Sequence, residues 1–240
     1  MALRTFQGRQ RGFTLIELLV AITIMALMAV LSWRGLDGMT RAQTQTSQRA
    51  DEILTLQSGL AQWKVDLDTL TQTPQVNSLD WDGRVLRLTR RTVPAGDGLI
   101  VVAWTRRSDA GGQWFRWQSP ALLTIGSWNE AWAQAKRWAQ DASTQDRARE
   151  VFVIPLEDWQ IFYFRSDAWT NPLSSEGGQS AGRLPPPANP ASAPGGIPLA
   201  TSQTVVPEGI RLILTLPAGQ ALGGKLTLDW VRPTLSGGKS

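Results

Sequence analysis

A long apolar segment near the N-terminus constrains this chain more than any other feature. The 21 residues from Phe13 to Trp33 contain one charged side chain, that of Glu17. As an α-helix, at about 1.5 Å per residue, the segment would span roughly 31 Å, which is enough to cross the hydrocarbon core of a bilayer. A carboxylate inside such a span costs roughly 2.5–3.5 kcal/mol on insertion scales, so the position of Glu17 requires a reason.

The basic residues of the chain predict the orientation of this segment. Arg4, Arg9 and Arg11 precede it without any acid, which favours a cytoplasmic N-terminus and an exported C-terminal body. The formal net charge of +4 falls to +1 without these three arginines. The chain therefore lacks the concentrated basic surface that nucleic-acid binding needs. We expect the pairs Arg90–Arg91 and Arg106–Arg107 to be solvated strand ends.

A conventional secretory signal fits this N-terminus less well. Such a signal has a short apolar region that ends in small residues at a cleavage site. Here the apolar run is too long, and no A-x-A-like site clearly ends it. A plain signal anchor remains open on these grounds.

The composition excludes most of the familiar catalytic mechanisms. The chain has no cysteine and no histidine, so disulfides, cysteine nucleophiles, Ser-His-Asp triads and His-ligated metal sites are excluded. Lysine-base or carboxylate-pair chemistry remains formally open. The acidic pairs Asp66/Asp68 and Glu157/Asp158 have no evident partner, and there is no calcium-loop, Walker or dinucleotide motif. We therefore expect no catalytic residues, no metal site, no cofactor and no enzymatic activity.

An amphipathic stripe continues the N-terminal helix beyond the apolar segment. Apolar residues recur there at spacings of three and four, as on one face of a helix. They are Ile53, Leu56, Leu60, Trp63, Leu67 and Leu70. The pattern predicts a helix from about Phe13 to about Leu70, ended by Pro74, whose second half packs on a globular head. Gly35, Gly38 and Gly59 are places where it could be loosened.

The rest of the chain alternates in the manner of strands. Short runs with period-two or continuous apolar character predict strands, and one run with helical spacing predicts a short helix at 129–142. The predicted strands are RVLRLTR (84–90), GLIVVAWT (98–105), QWFRWQ (113–118), VFVIPL (151–156), WQIFYFR (159–165), IRLILTL (210–216) and KLTLDWV (225–231). DWDG (80–83) is predicted to be a β-turn. The head is thus expected to be α+β, with one largely antiparallel sheet or two, and most of the twelve tryptophans are expected in its core.

Residues 171–204 interrupt this pattern. Proline, glycine, serine and alanine dominate them, without apolar periodicity, which predicts a long loop or insert within the head. Within it, LPPPANP (184–190) is able to adopt polyproline II and dock on an aromatic groove, although a solvated spacer is the preferred interpretation.

The start of the apolar segment resembles a known signal. The order of the RGFTLIELLVA stretch, with a basic leader before Gly12, is similar to the class III signal of type IV pilins and pseudopilins. The resemblance implies that a prepilin peptidase removes the leader, residues 1–12, by cutting between Gly12 and Phe13, and then N-methylates Phe13. It also implies that Glu17 pairs with the N-terminal amine of a neighbouring subunit. Pairing lowers the cost of both charges in hydrocarbon and so gives Glu17 a role in assembly.

Looser matches resemble the minor pseudopilin J family of the type II secretion system. They are SWRGLDGM (32–39), LQSGLAQWKVDLDTL (56–70) and VPEGIRLILTL (206–216), although Lys64 and Val65 precede Asp66 where that family has an RDL ending. The resemblance implies a pilin-like α+β fold, with a long N-terminal helix packed on a mostly antiparallel head. Its parts would be a transmembrane segment at 13–33, a periplasmic helix segment at 34–72 and a head at 73–240.

The same resemblance implies a function without enzymatic activity. J-type pseudopilins join types I and K at the tip of a pseudopilus that helps to export folded proteins across the outer membrane. The expected partners are these pseudopilins, the major pseudopilin, the prepilin peptidase and the inner membrane, with a single-pass anchor and a periplasmic head. Two alternatives stay open: a minor pilin that initiates type IV pilus assembly, and a membrane-anchored periplasmic enzyme or carbohydrate-binding module, which the tryptophan content would suit.

Overall fold

The computed structural model describes residues 12–92, 98–108, 111–174 and 206–233. The chain divides into two units, Met1–Asp51 and Glu52–Ser240. Helix α1, Leu15–Asp68, begins in the first unit and ends in the second. It is helical throughout, including the three glycines at which loosening was considered.

Helix α1 ends four residues before the predicted boundary at residue 72. Leu70 forms an antiparallel bridge with Arg90, and the Thr71 N–H donates to the carbonyl of Thr89 at 2.9 Å. The backbone after Asp68 therefore pairs with the strand that contains Thr89 and Arg90, so the helix ends before it reaches Pro74. This pairing is a tertiary contact that helical periodicity alone does not reveal.

Five antiparallel strands form sheet A in the order β1-β2-β3-β4-β5. They are β1 (Leu79–Trp81), β2 (Val85–Arg91), β3 (Leu99–Arg107), β4 (Gln113–Gln118) and β5 (Glu150–Pro155). Asp82 supports the predicted turn between β1 and β2, because its carboxylate accepts hydrogen bonds from the N–H groups of Arg84 and Val85. Gly83 adopts a φ of 89° there, which favours glycine.

Four further antiparallel strands form sheet B in the order β7-β6-β8-β9. They are β6 (Asp158–Arg165), β7 (Ala168–Thr170), β8 (Gly209–Leu216) and β9 (Gly224–Val231). The expectation of an α+β fold with a long N-terminal helix and antiparallel sheets is confirmed. The insert predicted at 171–204 lies outside the described residues except for its first four positions.

Two helices follow β4. Helix α2 is Ile125–Gln140 and the single-turn α3 is Thr144–Arg147. Helix α2 starts four residues before the predicted position, because the Thr124 hydroxyl accepts a hydrogen bond from the Ser127 N–H and caps the first turn. Its apolar face packs on sheet A and buries three tryptophans, Trp128, Trp132 and Trp138.

The described part of the head has two hydrophobic cores, one on each face of sheet A. The main core lies between the last part of α1, the face of sheet A opposite α2, and the inner face of sheet B. It includes Trp63, Trp104, Trp114 and Trp159. Neighbouring indole rings in this cluster have centroids 4.5–6.4 Å apart. The second core lies between sheet A and α2. The core interpretation therefore holds for most tryptophans, whereas Trp33 is exposed.

Candidate functional site

The segment in front of α1 leaves the Gly12–Phe13 peptide bond open to solvent. Gly12, Phe13 and Thr14 are exposed and lie outside the helix. A Cβ atom added at Gly12 would meet no heavy atom within 4 Å. The fold of the described residues therefore does not require a glycine at this position.

Thr14 and Glu17 form a capping box at the start of α1. The Glu17 carboxylate accepts hydrogen bonds from the backbone N–H of Thr14 at 2.9 Å and from its hydroxyl at 2.8 Å. In return, the Thr14 hydroxyl accepts from the Glu17 N–H at 3.4 Å. These bonds satisfy donors that a helix N-terminus leaves unpaired. The Thr-x-x-Glu spacing is a sequence signal for this motif, so the cap could have been predicted from Thr14 and Glu17 alone.

One oxygen of Glu17 remains available for a further donor. Both bonds from Thr14 go to Oε2, and no described residue donates to Oε1. An ionised carboxylate accepts at both of its oxygens. The helix cap and an additional cationic partner are therefore compatible at this side chain.

The apolar part of α1 that follows has no packing partner in the described chain. Its large side chains, from Leu15 to Trp33, are exposed, and the next charged residue after Glu17 is Arg34. In the described residues, one helix is long and apolar enough to cross a membrane, and it is α1. Side chains that are apolar on every face of a helix need an apolar environment outside the chain.

A buried ion cluster fixes the end of α1 to sheet A. Asp66 is fully buried and accepts two hydrogen bonds from the guanidinium of Arg116, at 2.7 and 2.9 Å. The indole N–H of Trp104 and the amide of Gln62 also donate to its carboxylate, at 3.0 and 2.9 Å. The guanidinium of Arg90 lies 3.5 Å from the carboxylate of Asp66. Burial lowers the pKa of Arg90, and the nearby positive charge of Arg116 lowers it further, whereas the negative charge of Asp66 raises it. Every lone pair of the buried carboxylate thus faces a donor or a cation.

The arginine pairs are not the solvated strand ends that the sequence predicted. In each pair one guanidinium is largely buried: Arg90 lies beside Asp66, and Arg107 forms an ion pair with Glu150 at 2.8 Å. Arg107 also lies 3.8 Å from the centre of the Phe115 ring. Only the arrangement of distant strands brings these partners together, so a local view of the sequence does not show them.

The predicted site residues thus form one local constellation at the start of α1, comprising Gly12, Phe13 and Glu17. The acidic pairs do not form a joint site with it. Asp66 belongs to the ion cluster, while Asp68 accepts from the indole N–H of Trp230 at 2.8 Å. In the described ranges, no group of three or more acidic residues is placed to hold a metal ion.

Comparisons with known proteins bear on the N-terminus. Residues 7–33 match the model described as the prokaryotic N-terminal methylation motif. No curated protein matches the chain. One chain of the GspK-GspI-GspJ complex from the enterotoxigenic Escherichia coli type 2 secretion system is similar in structure, with a TM-score of 0.44 and 13% identity over 76% of this chain and 99% of that chain. This similarity is too low to assign a function.

The methylation motif confirms the resemblance found in the leader and the start of α1. It contains Gly12, Phe13 and Glu17 and extends to the last residue of the apolar segment. Together with the one long apolar helix of the described residues, it fits a protein anchored in the membrane by a single pass. The chain therefore carries a prokaryotic N-terminal methylation motif at the head of a membrane-length helix.

Proposed function

We propose that this chain is a minor pseudopilin of the type II secretion system, part of the tip complex that drives export of folded proteins across the outer membrane. A prepilin peptidase cuts between Gly12 and Phe13 and methylates the new amine of Phe13. The processed chain then stays in the inner membrane through residues 13–33, with its head in the periplasm and other pseudopilins as partners. It has no catalytic role of its own.

One observation carries this proposal. The Gly12–Phe13 bond is exposed and non-helical, two residues before a capped, membrane-length helix, and it lies inside the matched methylation motif. A peptidase needs an accessible, extended substrate, and glycine at position 12 has no structural reason in the described residues. The J-like stretches at 32–39 and in the head favour a secretion system over a type IV pilus.

The free oxygen of Glu17 supports an assembly role for this side chain. After cleavage, the amine of Phe13 in one subunit is a cation at the edge of the bilayer. Glu17 of a neighbouring subunit accepts it through Oε1 while Oε2 keeps the cap on its own helix. The pairing neutralises two charges that are each costly in hydrocarbon.

Three variants separate charge pairing from capping. Glu17→Gln keeps a hydrogen-bond acceptor but removes the charge, whereas Thr14→Val removes the two hydrogen bonds of the Thr14 hydroxyl but keeps the charge. We expect the leader to be cleaved in all three, including Glu17→Ala, and recovery in cross-linked tip complexes to fall for both Glu17 variants but much less for Thr14→Val. Equal recovery of Glu17→Gln and the unchanged chain would contradict the pairing.

The function itself is tested in a strain that lacks this chain. Secreted enzymes are assayed separately in the periplasm and in the medium. We expect them to accumulate in the periplasm, and the full chain, but not Gly12→Ile, to restore export. Normal export combined with a loss of surface fibres would instead favour the minor pilin.

A further inference from the structure

A polar cavity opens at one end of sheet A. It lies where the start of β2 and the end of β3 meet the start of β6 and the last turn of α2, and its volume is about 350 Å³. Its described lining carries three arginines, a serine and one carboxylate. They are Arg84, Arg106, Arg107, Ser108 and Asp158. A cavity of this size can hold a small ligand, so the excess of arginine requires a reason.

Two charged groups of the lining have other partners. Arg107 forms its ion pair with Glu150, at 2.8 Å. The carboxylate of Asp158 accepts a hydrogen bond from the side-chain amide of Gln160 at 3.2 Å, and it forms no ion pair with an arginine of the cavity. The charge of Arg107 is therefore compensated, whereas Asp158 does not compensate the charges of the other two arginines.

Arg84 and Arg106 carry the uncompensated positive charge. Arg84 directly precedes β2, and Arg106 is the second-last residue of β3. The Thr105 hydroxyl donates to the carbonyl of Arg84 at 3.0 Å, so the two arginines belong to neighbouring strand ends. Among the described residues, neither guanidinium forms an ion pair. Like charges on adjacent strands repel each other, so an anion between them would be stabilised.

The guanidinium of Arg106 is held in a fixed position. Its Nε donates to the carbonyl of Leu156 at 2.9 Å, and its Nη1 donates to the hydroxyl of Ser108 at 3.2 Å. Both acceptors are neutral, and Nη2 donates to no described residue. A Cβ at Gly112 would lie 2.6 Å from Nη2, and Gly112 has a φ of 98°, so the glycine leaves the space that the guanidinium occupies. The group is therefore preorganised, and one of its donor nitrogens remains available.

We propose that this cavity binds an oxyanion from outside the chain, a carboxylate or a phosphate group, between the guanidinium groups of Arg84 and Arg106. A guanidinium matches both groups, because its parallel N–H donors can meet two oxygens at once. The cavity wall that Trp159 forms is buried, and this strengthens an ion pair relative to open solvent. The carboxylate would come from an acidic side chain of a partner protein, and the phosphate would be a free ion.

The dependence of stability on anion concentration tests this site. The full chain in detergent micelles is titrated with sodium glutarate and, separately, with sodium phosphate, while sodium chloride keeps the ionic strength constant. The midpoint of urea denaturation is followed by near-UV circular dichroism, and its change with anion concentration gives an apparent dissociation constant. Glutarate represents an acidic side chain, and phosphate represents the free ion. The measurement needs no other subunit, so its result does not depend on the proposed function.

Three variants locate the binding. Arg84→Gln changes an exposed residue whose side chain has no described hydrogen bond or ion pair, so this variant should fold normally. Arg106→Gln removes the preorganised guanidinium. The matched control is Arg149→Gln, which removes an exposed arginine outside the described lining of the cavity. Each variant loses one positive charge, so a general attraction of anions to the chain is lowered equally in all three.

We expect at least one of the two anions to bind the unchanged chain. Arg84→Gln and Arg106→Gln should each raise its apparent dissociation constant by roughly tenfold, since each loses charge-assisted hydrogen bonds, whereas Arg149→Gln should change it by less than roughly twofold. Stronger binding of glutarate would identify an acidic side chain as the source of the oxyanion, and stronger binding of phosphate would identify the free ion. Equal dissociation constants for the three variants, or a stabilisation that saturates with neither anion, would overturn the proposal, because the anions would then act on the chain as a whole.

Discussion

The two parts of helix α1 place similar apolar side chains in opposite surroundings. In the first unit, Ile16 and Leu31 are 70% and 67% exposed, and their neighbours are exposed as well. In the second unit, Leu56 and Trp63 are 5% and 1% exposed. The first part is apolar on all sides, whereas the second has one apolar stripe. A stripe can be buried by the chain's own sheets, but an all-round apolar surface has to be covered by something outside the chain.

The comparison also concerns charge. In the first unit, Asp37 and Arg41 lie one turn apart on the helix and form an exposed ion pair, with 2.8 Å between the carboxylate and the guanidinium. In the second, Asp66 has several partners in the head and no contact with solvent. An aspartate thus forms a solvent-exposed ion pair in the first part of the helix, whereas an aspartate in the second part attaches the helix to the head.

Substitution of Asp66 should have the largest effect on this comparison. Asp66→Ala leaves Arg116 and Arg90 without their counter-ion inside the head, and removing one partner of a buried ion pair costs about 3–5 kcal/mol. The free energy of unfolding is measured by urea denaturation of the full chain in micelles, followed by near-UV circular dichroism. The control Asp37→Ala should change it by less than about 0.5 kcal/mol. Equal effects of the two changes would mean that the ion cluster does not anchor the helix.

A pair of leucines two positions apart sharpens the contrast. Leu56→Ala removes a buried side chain from the main core and should lower the free energy of unfolding by about 2–5 kcal/mol. Leu54 is 61% exposed, and Leu54→Ala should change the same quantity by no more than about 0.5 kcal/mol. The same denaturation experiment checks both. A large loss for Leu54→Ala would show that the stripe was placed on the wrong face of the helix.

Substitution of two glycines of α1 by alanine should give the smallest difference in stability between the two parts of the helix. A Cβ at Gly59 would collide with the side chain of Val153 in the main core, whereas one at Gly38 would meet nothing within 4 Å. Crowding in a packed core costs about 1–3 kcal/mol, and the better helix propensity of alanine offsets up to about 1 kcal/mol of that. We therefore expect Gly59→Ala to lower the midpoint of urea denaturation slightly and Gly38→Ala to raise it slightly, because no contact at Gly38 opposes the gain in helix propensity. A higher midpoint for Gly59→Ala would mean that the helix is not in close contact with β5.

Local patterns in the sequence predicted most of the fold. The seven strands that were predicted are present with shifts of at most two residues at their ends, because each has enough alternating or continuous apolar residues to show its period. Strands β1 and β7 and helix α3 were missed, since three or four residues are too short to show a period. The burial of Arg90 and Arg107 was also missed, because their acidic partners lie far away in the sequence.

The candidate site at the N-terminus was predictable for a different reason. Its residues, from Gly12 to Glu17, are adjacent in the chain, so the motif can be recognised without knowledge of the tertiary fold. The Asp66 cluster, in contrast, brings Asp66 into contact with Arg116, which is 50 positions away in the chain. In the sequence Asp66 had no evident partner, because the strands that carry its donors Trp104 and Arg116 are distant in the chain.

The most direct test of this account is the mass of the N-terminal peptide from the full chain, purified from a bacterial host that contains a prepilin peptidase. The account predicts a chain that starts at Phe13 and carries one methyl group on its α-amine, and a Gly12→Ile chain that keeps its leader. An intact chain that still begins at Met1 in the presence of the active peptidase would contradict it.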